Sequence, residues 1–412
     1  MSREFGESFF LCDPDRFKRN YDDFLGLFRA IYPRTQLAYS YKTNYTPALC
    51  RLVEEWGGYA EVVSGMEYEL AVRLGVPGEG IIFNGPYKPK PALGKALLEG
   101  ALVNLDSAYE LELVEEAARR NPDKTLRLGL RCAFEVGLEL PTRFGFNADD
   151  GSLTGAVKRL RGIPNVELAA LHCHYMPPGR TPERYRQIAE RMLALSAEFY
   201  PDRPPRILDL GGGFYSRMAP ALRQQFGSKL PEWAEYAGAI AEPFRQAFPN
   251  GDGPELVLEP GMAVVADVFQ FVTRVVDIKR IGGRTTALAS GSVYDIRPTK
   301  SLRNLPVRRL AGGGKEVTGK MDIVGYTCME DDILHRDYEG GLAAGDFLVF
   351  SNTGAYTIVL KPPFILPASP IVTIGGEQMV RRAETVEDIF SAFKMERGEH
   401  KDATKRRSGT LC

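Results

Sequence analysis

The chain has 412 residues, 44% of them hydrophobic, with 52 basic against 53 acidic side chains. At ~150 residues per domain this length suggests two or three domains, although an α/β barrel reaches ~250 residues as one. The balanced charge points to no nucleic-acid or membrane-surface partner, and no run approaches the ~18 apolar residues of a membrane span. The opening stretch MSREFGESFFLCDPDRF lacks the apolar core and cleavage pattern of a secretory leader. Cys12, Cys50, Cys132, Cys173, Cys328 and Cys412 are scattered and form no CxxC pair. That argues against a disulfide framework or structural zinc, and for a reducing cytoplasm.

Eight short apolar runs recur in chain order. They are LAYSYK (37–42), GYAEVV (58–63), GIIFNG (80–85), ALVNLD (101–106), LRLGLRC (126–132), ELAALHCHY (167–175), RILDLGGG (206–213) and ELVLEPG (255–261). Segments with helical spacing, such as PALCRLVEEWG and SAYELELVEEAARR, connect them. Eight strands alternating with helices predict an α/β fold, a (β/α)8 barrel over 28–262. The texture then changes. VFQFVTRVVDIKRI, TTALASGSV, KMDIVGY, DFLVFS and PIVTIGG are β-rich and separated by turn residues. They predict an antiparallel β domain over 263–392, joined by residues 1–27. The polar stretch 393–412 reads as a disordered tail.

In such a barrel, chemistry gathers where strands meet the following loops. The first strand ends on Lys42, an amine where a core residue is expected, with the small Ala38 and Ser40 on the same face. The second ends near Glu61 and the fifth near Arg131. The sixth carries His172 and His174, the seventh opens into Gly211-Gly212-Gly213, and the eighth delivers Glu259 before Pro260-Gly261. The two histidines lack an obvious third partner, so no metal site is read from them. A single ligand, pyridoxal phosphate, would occupy the whole set. Lys42 supplies the amine for a Schiff base, made more reactive by desolvation. The glycines let backbone N–H groups approach a phosphate. Glu259 keeps the pyridine nitrogen protonated, so that the ring accepts electrons, and a flat imidazole lies against the ring.

These residues resemble the fold type III pyridoxal-phosphate enzymes, in the ornithine/diaminopimelate decarboxylase branch, from about residue 35 to about 390. YSYKTN is similar to the family's lysine segment and LHCHY to its histidine segment. LDLGGGF is similar to the phosphate loop, LEPGM to the segment of the pyridine-binding glutamate, and RRAETVEDI to the closing segment. VGYTCMEDDIL places Cys328 at the family's catalytic cysteine, and NTGAYT places Tyr356 at its phosphate-binding tyrosine. The resemblance implies amino-acid decarboxylation in a homodimer with shared sites. Lys42, His174 and Cys328 are then catalytic, with Cys328 as the acid that protonates the substrate Cα. Glu61, Arg131, His174, Gly211, Gly212, Gly213, Glu259, Gly261 and Tyr356 join Lys42 in holding the cofactor.

Four departures bear on the site. Met262 stands where the family has a phosphate-binding arginine, and Met176-Pro177 where it has Gly-Ser. The phosphate is then left to the glycines, Tyr356 and groups such as Arg180 or Tyr215. Met329 replaces an acidic residue after the cysteine, ahead of Glu330, Asp331 and Asp332, and Ala289 replaces an aspartate. An aspartate-to-neutral change removes the partner of a distal ammonium, so a modified or conjugated amino acid of specialised metabolism is expected as substrate. Arg297, Met329 and Asp332 are the candidate substrate contacts. A racemase on the same fold, and a non-catalytic relative, are the alternatives.

Overall fold

The computed structural model describes residues 2–136, 142–176, 178–360, 364–376 and 378–393. Pro177 and the tail beyond Phe393 lie outside the described residues.

β1 (Ser8–Cys12) precedes the barrel. The barrel strands are β2 (Thr35–Ser40), β3 (Tyr59–Val62), β4 (Ile81–Phe83), β5 (Leu102–Leu105) and β6 (Leu126–Ala133). A two-residue β7 (Phe146–Asn147) adds to β6. Then come β8 (Val166–His172), β9 (Ile207–Asp209) and β10 (Glu255–Leu258). β2 to β6 and β8 to β10 pair in parallel, and β10 pairs with β2, so eight strands close into a barrel. All eight apolar runs are barrel strands. Their strands are buried between the barrel interior and the helices, which is why they read as continuous apolar runs rather than alternating ones.

One strand end differs from expectation. β2 stops at Ser40, and Lys42 sits in the single 3-10 turn Tyr41–Thr43. Tyr41 and Thr43 are buried, whereas the Lys42 side chain keeps 30% of its exposure. The turn therefore fixes the backbone while leaving the amine accessible. Beyond it, Pro47 opens the helix Pro47–Glu55 with Thr46 as N-cap. The Thr46 hydroxyl bonds Asn44 Oδ1 at 2.6 Å rather than capping the helix.

The second sheet comprises β1, β11 (Phe269–Ile281), β12 (Arg284–Ala289), β13 (Val307–Leu310), β14 (Val317–Val324), β15 (Ile333–Leu342), β16 (Phe347–Ser351), β17 (Ile371–Thr373) and β18 (Met379–Arg381). β11 is its spine, antiparallel to β1, β12 and β16. β12 pairs with β14 and β1 with β17 in parallel, so the sheet is mixed. The N-terminal stretch divides rather than joining this sheet as a whole. β1 enters it, whereas the helix Pro14–Arg29 buries Phe17, Tyr21, Phe24 and Phe28. The Phe24 ring lies 5.2 Å from those of Phe214 and Trp233 on the barrel side. One hydrophobic core runs from Phe24 and Leu37 through Phe269 and Phe271, joining barrel to sheet.

Candidate active site

Every barrel strand brings a polar group to the same mouth. Ser40 closes β2, Glu61 lies on β3, Asn84 follows β4 and Asn104 lies on β5. Arg131 is on β6, His172 and Asp209 end β8 and β9, and Glu259 follows β10. All eight are buried. Buried polar groups persist when they satisfy one another, and Ser40, Glu61, Asn84, Asn104 and Glu259 are linked in a chain. Lys42 Nζ donates to Ser40 Oγ at 3.2 Å and to the Glu61 carboxylate. Ser40 Oγ donates to Glu61 Oε2 at 2.5 Å. Asn84 Nδ2 bridges Glu61 Oε1 at 3.1 Å and Glu259 Oε1 at 2.5 Å, and Asn104 Nδ2 donates to Asn84 Oδ1 at 2.8 Å. The Glu259 carboxylate lies 3.3 Å from both His172 Nε2 and His174 Nδ1.

The electrostatics follow from this packing. Burial alone would lower the Lys42 pKa, but Glu61 and then Glu259 outweigh it and raise the value. The two carboxylates thus hold the amine as an ammonium, contrary to the expectation that desolvation frees it. Burial likewise disfavours an ionised Glu259, yet His172 and Lys42 hold its pKa well below the usual carboxylate range. Asp209 is the counterpart. Burial and the neighbouring Glu259 charge push it well above its ordinary value, because two adjacent carboxylates do not both ionise. Asp209 Oδ1 accepts from the Gly211 N–H at 2.9 Å, while Oδ2 has no donor among the described residues. A proton on Asp209 resolves that deficit. His172, Asp209 and Glu259 present ligand atoms within 4.8 Å of one another, a group that includes only one of the two histidines.

The glycine triplet is required by close approach. Gly211 has φ +69°, and a Cβ there would lie 2.6 Å from His174 Nδ1 and 2.7 Å from the Cys173 oxygen. Gly213 has φ +93°, and a Cβ would meet Tyr185 Oη at 2.8 Å. The Gly212 N–H donates to His174 Nδ1 at 3.1 Å, fixing the imidazole over the loop. Tyr356, itself at φ +56°, is tied to the lysine turn by its N–H to the Thr43 oxygen at 2.9 Å.

Lys42, His174, Gly213, Glu259, Gly261, Met262 and Tyr356 all line one cleft of about 510 Å³, with Arg297 on its far wall. A larger recess of about 690 Å³ lies at the opposite mouth, lined by Arg34, Tyr59, Arg206 and Glu255. Its charges are ordinary solvated ones: Arg206, 59% exposed, stands 3.6 Å from Glu167. Size alone does not mark the site; buried, opposed charges do.

Four expected residues fall elsewhere or are otherwise engaged. Cys328 and Met329 are on an exposed turn between β14 and β15 and do not line the cleft. Asp332 is buried and not open to a substrate. Its carboxylate accepts from Ser292 Oγ at 3.0 Å, Val293 N at 2.7 Å and Thr327 N at 3.0 Å, capping the short helix Val293–Ile296. Arg297 reaches the cleft wall, but its Nη groups donate to the main-chain oxygens of Ser301, Arg303, Ile333 and Leu334. It clamps the loop rather than presenting a free carboxylate receptor. Arg131 acts from below, with Nη1 3.2 Å from Asp106 and Nη2 3.3 Å from the His174 oxygen.

The sequence reading missed Asn84, Asn104, Asp209 and Lys88. The first three stand in the apolar runs GIIFNG, ALVNLD and RILDLGGG, so asking what each of the eight strands delivers would have found them. Lys88 is fully buried, with Nζ donating to the Gly85 oxygen at 2.7 Å, the Asn104 oxygen at 2.8 Å and Glu110 Oε1 at 2.9 Å.

A glycine loop that any Cβ would fill, an accessible amine and an ionised buried carboxylate on the same cleft suit pyridoxal phosphate. The family model described as "Pyridoxal-dependent decarboxylase, pyridoxal binding domain" matches residues 18–266. The chain is 26% identical to the diaminopimelate decarboxylase of Corynebacterium efficiens, over 95% of this chain and 88% of that one. It is 25% identical to the L-glutamyl-[BtrI acyl-carrier protein] decarboxylase of Niallia circulans, over 95% and 94%. The crystal structure of diaminopimelate decarboxylase from M. jannaschii with L-lysine superposes with a TM-score of 0.82 at 22% identity, covering 96% of this chain and 94% of that one, a likeness of fold. The chain belongs to the pyridoxal-dependent decarboxylases, and its cofactor is pyridoxal phosphate.

Proposed function

We propose that this decarboxylase acts on a modified or conjugated amino acid whose far end carries no free ammonium, and that two chains share their active sites. The observation that carries the substrate reading is the lining of the cleft. Met218, Leu222, Phe226, Ile296 and Leu305 contribute apolar side chains to it, with Arg303 stacked 4.0 Å over Phe226. Glu259 is the one carboxylate among the described lining residues, and it is engaged at the inner end by the two histidines. Among the described lining residues a distal ammonium therefore finds no carboxylate of its own chain beyond Glu259, whereas an apolar or anionic arm finds partners. Ala289, buried on β12 where the family's motif has aspartate, agrees. The similarity to an enzyme named for a carrier-bound glutamyl substrate supports the same reading.

Lys42 provides the amine that carries the cofactor, and Glu61 holds its proton until a substrate or cofactor arrives. Glu259 would meet the pyridine nitrogen and keep a proton there, and His174 would lie against the ring. Gly211, Gly212, Gly213, Gly261 and Tyr356 would hold the phosphate. When bound, pyridoxal phosphate supplies an electron sink for the carbon that loses CO2. The exposed Cys328 turn, outside its own chain's cleft, enters that of the partner in a homodimer and delivers a proton to the substrate Cα. The five described cysteines are all unpaired, which suits a cytoplasmic enzyme, and among the described residues no helix is long and apolar enough to cross a membrane.

Purified enzyme is assayed for CO2 release from ornithine, lysine and diaminopimelate, and from their acylated derivatives. Slow turnover of all three free diamino acids, with faster turnover of a derivative, is the expected result. Rapid turnover of any one free diamino acid refutes the substrate reading.

A further inference from the structure

The phosphate end of the cleft lacks a cation where the family's motif would put one, since Met262 follows Glu-Pro-Gly and lines the cleft. We propose that Arg180, on the loop after β8, supplies that cation from the other side. Arg180 lines the cleft together with Met176, Gly213 and Tyr215. Its guanidinium carbon lies 4.6 Å over the Tyr215 ring, two residues beyond the last glycine of the phosphate loop. Its Nη2 is 3.1 Å from the Met176 sulfur. A Cβ built on Gly213 would lie 3.8 Å from Met176 Cγ and 2.8 Å from Tyr185 Oη. Met176 thus contacts the guanidinium and stands where a side chain on Gly213 would reach, which places Arg180 near the phosphate loop.

Two features of Arg180 are unfavourable. Its Nη1 is buried and has no hydrogen-bond partner among the described residues, and a sulfur is a weak acceptor for Nη2. Its backbone is left-handed, at φ +47°, a conformation that side chains other than glycine rarely adopt and that clusters at ligand sites. The loop is anchored all the same, because Tyr236 Oη donates to the Arg180 oxygen at 2.8 Å. A phosphate dianion in the glycine cradle satisfies the bare N–H with a charge-assisted bond, the geometry guanidinium favours. Stacking on Tyr215 alone leaves Nη1 unexplained.

The inference rests on the cofactor assignment, and binding of pyridoxal to the unaltered chain tests that assignment separately. The full-length apo chain is titrated with pyridoxal phosphate and with pyridoxal, which lacks the phosphate, following the visible absorbance of the lysine adduct. Arg180→Met is expected to weaken pyridoxal phosphate binding about 10- to 100-fold while leaving pyridoxal within about twofold. Arg180→Lys recovers part of the loss, and so does Arg180→Met combined with Met262→Arg. Equal weakening of both aldehydes, the signature of a loop that has merely lost its packing, overturns the proposal. So does an unchanged preference for the phosphorylated form.

Discussion

Two lysines are withdrawn from bulk solvent at the same barrel mouth, and they differ in what surrounds the amine. Lys88 is fully buried, and two carbonyls and Glu110 take its three donors. Burial, outweighing Glu110, lowers its pKa. Lys42 keeps 30% side-chain exposure, bonds only one side of its amine to Ser40 and Glu61, and has a raised pKa. A search for the most nucleophilic amine by pKa alone selects Lys88. A search for an amine with room for an aldehyde selects Lys42. Access therefore decides first, and the proton on Lys42 is a resting condition that a ligand can change. Lys88 fills its own space and holds the loop after β4 to the helix Ala108–Arg120, a structural ion pair.

Substitutions at the two lysines should therefore fail in different ways. Lys42→Arg keeps the charge and cannot carry the cofactor, so CO2 release should fall on the order of 10³-fold or more, with the melting temperature nearly unchanged. Lys88→Met should do the reverse. It leaves Glu110 buried without its cation and costs about 3–5 kcal/mol of stability in denaturant titration, while any folded protein still takes up the cofactor at Lys42. Loss of cofactor uptake in folded Lys88→Met would erase the distinction between the two amines. Glu259→Gln removes the ionised carboxylate across the cleft and should lower kcat about 10²-fold, with the cofactor still bound.

The resting proton gives a pH prediction. Glu61 and Glu259 raise the folded Lys42 pKa above its ordinary value, which is ~10.4 for a free lysine. The ion pair therefore contributes stability below that value, and the contribution is lost as pH rises through the folded pKa. The same shift means that uptake of an aldehyde, which needs the neutral amine, should quicken with pH across the neutral range. Glu61→Gln should move that uptake profile to lower pH and speed uptake at neutral pH. A profile that does not move would show that Glu61 does not hold the proton. Arg206→Ala, at the recess on the opposite mouth, should change stability by no more than about 0.5 kcal/mol and leave CO2 release unaltered.

Much of this was legible in the sequence because parallel barrel strands bury both faces and leave unbroken apolar runs. The β domain was legible only where a strand is apolar. β15, with the charged ILHRDYEGGL pattern, gave no such run, and neither did β13 or β18. Lys42 and Glu259 were found because each breaks the pattern at the end of an apolar run. The engagement of Asp332 and Arg297 was not legible, since their partners Ser292, Val293, Thr327, Ile333 and Leu334 are set by how two loops cross. Asp209 was hidden for another reason: an aspartate before a glycine loop reads as a turn residue until its distance to Glu259 is known.

That the accessible lysine carries the cofactor, and not the one of lower pKa, can be read out by covalent labelling. Pyridoxal phosphate is added to the full-length chain, the adduct is fixed with borohydride, and the peptides are mapped by mass spectrometry. The pyridoxyl group is expected on Lys42, with Lys88 unmodified. A label on Lys88, or on neither residue, would contradict this.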